Sequence, residues 1–199
     1  MRSNVCKIEN GTKDLAAILR ESEKVAAYNE LTHKQTLQLR LICEEIDGML
    51  PNMIDDFDGT LWIDYEDGVC KVNVSIRIPD FNAEKKDKLI GIAKDRKNSA
   101  AVGIAGKIRD AIENFFLDEA AAEAFDTSSA FLNLSTGYSE GVDYAYLWRL
   151  GEYRSSVTRD SKSEEWDELE KSVIASVADD VIVGVKGKRA DIIVIKKFA

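Results

Sequence analysis

Between Val69 and Ile78 apolar and polar residues alternate without a break. Cys70, Val72, Val74, Ile76 and Ile78 fall on one side of an extended chain, and Lys71, Asn73, Ser75 and Arg77 on the other. This pattern specifies a strand with one apolar and one wet face, so another layer has to cover the apolar side. Just upstream, Gly59 opens a strand through Trp62 to Asp64, and Glu66-Asp67-Gly68 supplies a turn, which makes the pair a hairpin. A second hairpin closes the chain, where the β-branched runs Val181 to Val185 and Ala190 to Ile195 flank Lys186-Gly187-Lys188. Val5 to Ile8 and Tyr144 to Leu150 add two further β segments.

The covering layer is helical. Thr12 or Asp14 opens a helix in which Leu15, Ile18, Leu19, Val25 and Ala26 keep helical spacing as far as Glu30. A second helix runs from Thr32 to Met49, with Leu37, Leu41, Ile42, Ile46, Met49 and Leu50 as its apolar stripe, and stops before Pro51. Ala83 to Asp95 reads as a charged amphipathic helix. Ala100 to Phe125 reads as an alanine-rich one with Ile104, Ile108, Ile112 and Phe115 or Phe116 on a common side. Thr127 to Gly141 is a polar loop, and Ser161 starts a helix through Trp166, Leu169, Val173 and Ile174. The fold class expected is an α/β (α+β) two-layer sandwich, a mixed, mostly antiparallel sheet covered on one face by helices. With no repeat and no linker, residues 1–199 form a single domain with a helical elaboration around 83–125.

Charge and composition remove several functions. Lys plus Arg number 27 against 36 Asp plus Glu, a net charge of −9, so the cation excess that binds nucleic acid is missing. No apolar run approaches the roughly 18 to 20 residues of a membrane span, and the first ten residues lack a signal-peptide segment, so a cytoplasmic location is expected. Cys6, Cys43 and Cys70 are widely spaced among apolar neighbours and read as buried free thiols. His33 is the single imidazole and follows the candidate helix cap Thr32. It supports neither a metal site nor a nucleophilic triad.

Two features carry chemistry. At 100° per residue Glu45 stacks with Leu41 and Met49 at the border of the second helix's apolar stripe, whereas Glu44 and Asp47 turn further away. A carboxylate at such a border accepts a proton from water when partly desolvated; otherwise it is an exposed helical acid. The aromatics Tyr138, Tyr144, Tyr146, Trp148 and Tyr153 either build a binding surface or, at alternate strand positions, enter the core. Asp55-Asp56-Phe57-Asp58-Gly59 is not a calcium loop, because aligning it places Ile54 and Tyr65 at ligand positions.

The order of a short strand, a helix, a helix reading Leu37-x-Leu39-Arg40-Leu41-x-x-Glu44-Glu45 and two hairpins resembles the Bergerat-fold, or histidine-kinase-like (GHKL), ATPases. Lys7 to Leu50 is similar in particular to the small stand-alone bacterial anti-sigma-factor serine kinases. The resemblance implies a histidine-kinase-like ATPase fold, ATP with magnesium as cofactors, a regulatory protein partner and pairing of two copies through sheet edges. It implies Glu45 as the general base and Asp80, after the alternating strand, as the acid that accepts from the adenine amino group. Gly103, Gly106 and Lys107, in Ala101-Val102-Gly103-Ile104-Ala105-Gly106-Lys107, would then lie near the phosphates. The chain departs from the family at named positions. Met49 stands where the E-x-x-x-N helix has its metal-holding amide, and Asp80 lacks the glycines of D-x-G-x-G. Asn52 shares Glu45's face only in a helix that continues through Pro51. Gly103 and Gly106 also suit close packing, and Asp80 a turn or cap. Two functions follow: an ATP-binding regulator with phosphoryl transfer or ATP hydrolysis, or a catalytically inactive protein-interaction module on the same fold.

Overall fold

A computed structural model of the chain describes residues 1–9, 15–54, 57–77, 103–117, 145–157, 172–186 and 189–198. In chain order these form β1 (Cys6–Glu9), α1 (Leu15–Tyr28), α2 (His33–Met53), β2 (Asp58–Glu66), β3 (Val69–Arg77), α3 (Gly103–Leu117) and β4 (Ala145–Arg149). The chain continues with α4 (Leu150–Val157), α5 (Val173–Val177), β5 (Asp180–Lys186) and β6 (Arg189–Lys197). The helix expected over Ala83 to Asp95 and most of that expected from Ser161 lie outside the described residues. Within the latter span, Ser172 instead caps a new short helix, its side chain accepting from the Ala175 amide.

The strands form one six-stranded sheet in the order β1-β2-β3-β6-β5-β4. Every pairing is antiparallel, so the expected mixed sheet is all-antiparallel among the described strands. The first hairpin turns at Asp67 (φ 48°) and Gly68 (φ 78°). Positive φ at both central positions is the type I′ geometry whose twist matches the flanking strands. The closing hairpin pairs Lys186 with Arg189, as its two β-branched runs require.

Register explains the core. Val72, Val194 and Val181 lie side by side across β3, β6 and β5, followed by Val74, Ile192 and Val183, then Ile76, Ala190 and Val185. All nine are buried, and against this carpet α2 lays Leu39, Ile42, Cys43, Ile46, Leu50 and Met53. Leu37, expected in that stripe, is 51% exposed, because the buried arc starts at Leu39 and is centred on Ile42 and Ile46. α1 packs on α2 and β2, and α3 packs on α2 and β4. Ile104, Ile108 and Ile112 of α3 face the core as expected. No described helix is long and apolar enough to cross a membrane.

The opposite face of the sheet is polar, yet its centre is not wet. Asn73, Ser75 and Asp191 are buried there. They are accommodated because they bond along the sheet. Asn73 Nδ2 donates to Asp64 Oδ2 at 3.1 Å, and so does Trp62 Nε1 at 3.0 Å, while Arg189 Nε donates to Ser75 Oγ and to Asp191 Oδ1. The chain before β1 is fastened to α1 through Glu21, which accepts from the Asn4 amide at 3.1 Å and from Lys24 Nζ at 2.6 Å.

Two consequences are measurable. Gly59 lies where β2 meets β3 so closely that a Cβ would overlap Ser75 O and come within 3.1 Å of Ile76 Cα, both backbone atoms. Gly59→Ala is expected to cost about 3 kcal/mol in urea unfolding, and a loss below about 0.5 kcal/mol would contradict this packing. The three cysteines are buried and none is in a disulfide. Burial pushes the Cys70 thiol from 9.0 up to about 12, and burial raises Cys43 as well. A raised thiol pKa favours the folded state in full below pH 9.0 and loses that contribution as pH rises towards about 12. The urea midpoint is expected to fall across this window less steeply in Cys70→Ala than in the native protein. Equal slopes would contradict it.

Candidate functional site

The helix carrying Glu45 is defined at both ends. At its start Thr32 and Gln35 form a reciprocal capping box, with the Thr32 amide donating to Gln35 Oε1 at 2.8 Å. His33 is the exposed first residue. At its end the helix does not stop before Pro51 but continues to Met53, where the Ile54 amide donates to Leu50 O at 3.1 Å. A proline in the last turn removes one backbone bond and leaves little helix beyond it to disrupt, which is why the expected end fails.

Along this helix the two neighbouring acids are separated by their partners. Glu44, partly exposed, accepts from Arg40 Nε at 2.9 Å, and Arg40 also reaches Glu23 at 3.4 Å. Glu45 sits at the edge of the buried arc, partly exposed, beside buried Ile46 and between partly buried Leu41 and Met49. Both acids are thus partly exposed, and Glu44 is the one tied to Arg40.

Gly103 is the first residue of α3, and Gly106 and Lys107 follow in its first two turns, with Gly106 buried and Lys107 partly buried. A helix start presents backbone amides and the positive end of the helix dipole. The Lys107 ammonium lies 5.8 Å from the centre of the Tyr153 ring of α4. α3 packs beside α2, so the helix that opens with the glycine-lysine segment and the helix of Glu45 are neighbours in the helical layer. Asp80 lies outside the described residues.

For a nucleotide's phosphates the head of α3 with Lys107 is chemically suited. For magnesium the fit fails. Met49, one turn after Glu45, has no side-chain oxygen donor, and Asn52 lies seven residues, about two turns, beyond Glu45 in the same helix. Among the described residues no group of three or more His, Cys, Asp or Glu is arranged to hold a metal.

A second feature was not visible in the sequence. Asp180, the first residue of β5, accepts from Arg149 Nε at 2.6 Å and from the amides of Gly151 at 3.1 Å and Val181 at 3.0 Å. It therefore caps the start of α4 from a distant part of the chain. An open polar cleft of about 540 Å³ lies here, lined by Arg149, Glu152, Ser155, Ser156, Asp179 and Asp180. It runs along the flank of α4 that does not carry Tyr153. Only the doubled acid Asp179-Asp180 at the head of a β-branched run marks the place in the sequence.

Compared with models of protein families, with curated proteins and with solved structures, the chain matches none.

Proposed function

We propose that the chain is a nucleotide-binding regulatory protein of the histidine-kinase-like ATPase type, which takes ATP or ADP between α2 and the head of α3 and acts through a protein partner. The observation that carries this reading is the juxtaposition of two helices on one face of the sheet. One carries Glu45 at its half-buried border, and the other begins with Gly103-x-x-Gly106-Lys107. The strand order supports it: β3 pairs with the last strand of the chain, which draws the N-terminal hairpin and the closing hairpin into one platform beneath both helices.

In this reading the α3 amides and the Lys107 ammonium offset phosphate charge, and Asp80 accepts from the adenine amino group. Bound ATP would supply the γ-phosphoryl group, which water takes as the bond to the β-phosphate oxygen breaks and ADP leaves. Glu45 takes a proton from water at the helix border. Magnesium has no place in this reading, because Met49 supplies no oxygen donor where the family's amide would stand. That same misfit favours the second reading, a catalytically inactive interaction module that keeps the fold, with or without a nucleotide bound.

Thermal unfolding with and without ATP or ADP separates the outcomes. At 100 times the dissociation constant the nucleotide is expected to add about 2.7 kcal/mol, a rise of roughly 5–10 °C for a chain of this size. Glu45→Gln is expected to keep this rise and to abolish any hydrolysis. An unchanged melting temperature with both nucleotides would contradict the proposal. A rise with no hydrolysis by the native protein would select the binding-only form.

A further inference from the structure

We propose that the end of the sheet's polar face marked by Arg77 and Arg189 is the docking surface for an acidic helix of a partner protein. The inference rests on the protein partner of the reading above and not on its nucleotide. Register sets the cations side by side. Arg77 of β3 stands directly opposite Arg189 of β6, and Lys186 of β5 takes the next position in the same row. On the other side of Arg77 the row continues with Asp58 of β2 and so changes sign. Neighbouring strands lie about 4.8 Å apart, which makes the positive stretch roughly 10 Å long. In a chain with a net charge of −9 such a row is an exception.

Like charges directly opposite each other destabilise a sheet, and an anion from outside relieves that cost. Arg77 is exposed and makes no hydrogen bond or ion pair among the described residues. Arg189 donates through Nε to Ser75 Oγ and to Asp191 Oδ1, so one charge is offset by a carboxylate that is itself buried. Both bonds hold the guanidinium by its inner nitrogen. The Arg189 side chain is still 57% exposed, which leaves its terminal amino groups for an acceptor in solution. One arginine is thus set in place and the other is unpartnered. The spacing selects the anion. Cross-strand neighbours have Cβ atoms about 4.5–5.5 Å apart, and residues three or four apart on a helix have theirs about 5–6 Å apart. A helix laid across the strands therefore brings successive acids onto Arg77 and Arg189, each planar guanidinium suiting a bidentate carboxylate. Two or three carboxylates fill the row. A nucleic acid would run beyond it onto Asp58 and meet the acidic excess of the rest of the chain.

The probe is an alanine-rich helical peptide with glutamates at i, i+4 and i+7, compared with its glutamine counterpart and with a single-stranded oligonucleotide. Each is titrated into the full chain at low and at physiological salt and followed by nitrogen-15 NMR. The glutamate peptide is expected to bind, more weakly as salt rises, and to shift the Arg77 and Arg189 Nε–H signals, whereas the glutamine peptide leaves them in place. Arg77→Gln is expected to weaken the glutamate peptide about two- to fivefold and to keep the melting temperature within about 2 °C. Arg77→Glu is expected to weaken it further. No binding of the glutamate peptide, equal binding of the glutamine peptide, an unchanged affinity in Arg77→Glu, or tighter binding of the oligonucleotide would overturn the surface and leave the nucleotide reading untouched. A native protein that binds the glutamate peptide in this way but neither ATP nor ADP would keep the surface and overturn the nucleotide.

Discussion

The pairing of β3 with β6 joins the two halves of the molecule. It brings Val69 opposite Lys197 and Arg77 opposite Arg189, so that two hairpins far apart in sequence share one continuous surface. Neither hairpin alone offers α2 enough apolar area. Together they present the three rows of valine, isoleucine and alanine against which Ile42, Cys43, Ile46 and Leu50 pack. Each fully buried aliphatic side chain in this layer contributes about 1.5–3 kcal/mol. The long chain closure is thus rewarded only when sheet and helix form together. This surface positions α2 and with it Glu45, and α3 packs on α2 and β4.

The polar face of the sheet shows how the alternating pattern can be read correctly and still mislead. Lys71, Asn73, Ser75 and Arg77 do point away from the helices, but Asn73 and Ser75 are buried. Their bonds run sideways, to Asp64 and to Arg189, and the Asp191 carboxylate joins them from β6. Asp191 Oδ2 is buried and has no hydrogen-bond partner among the described residues. Alternation reports which side a residue faces, whereas its exposure depends on what neighbouring strands place beside it.

The local signals were legible where the physics is local. Asp67-Gly68 accepts positive φ at both turn positions, Thr32 caps the second helix, and the isoleucines of α3 repeat at intervals of four. The end of α2 was not legible, since Pro51 is tolerated only because so little helix follows it. α4 was hidden for a different reason. Leu150-Gly151 reads as the end of a strand, and the cap that makes a helix there comes from Asp180, across the fold. The candidate site divides in the same way. Glu45 and the Gly103 to Lys107 segment are visible as short patterns, whereas the contact of Lys107 with Tyr153 joins two helices with no common sequence signal.

The central claim is that a nucleotide occupies the junction of α2 with the head of α3. Hydrogen–deuterium exchange with and without ADP tests it most directly. The account predicts added protection in the first two turns of α3 and in the Glu45 segment of α2, with the β1–β2 edge unchanged. Protection confined to the cleft beside Arg149 and Asp180, or none anywhere, would contradict it.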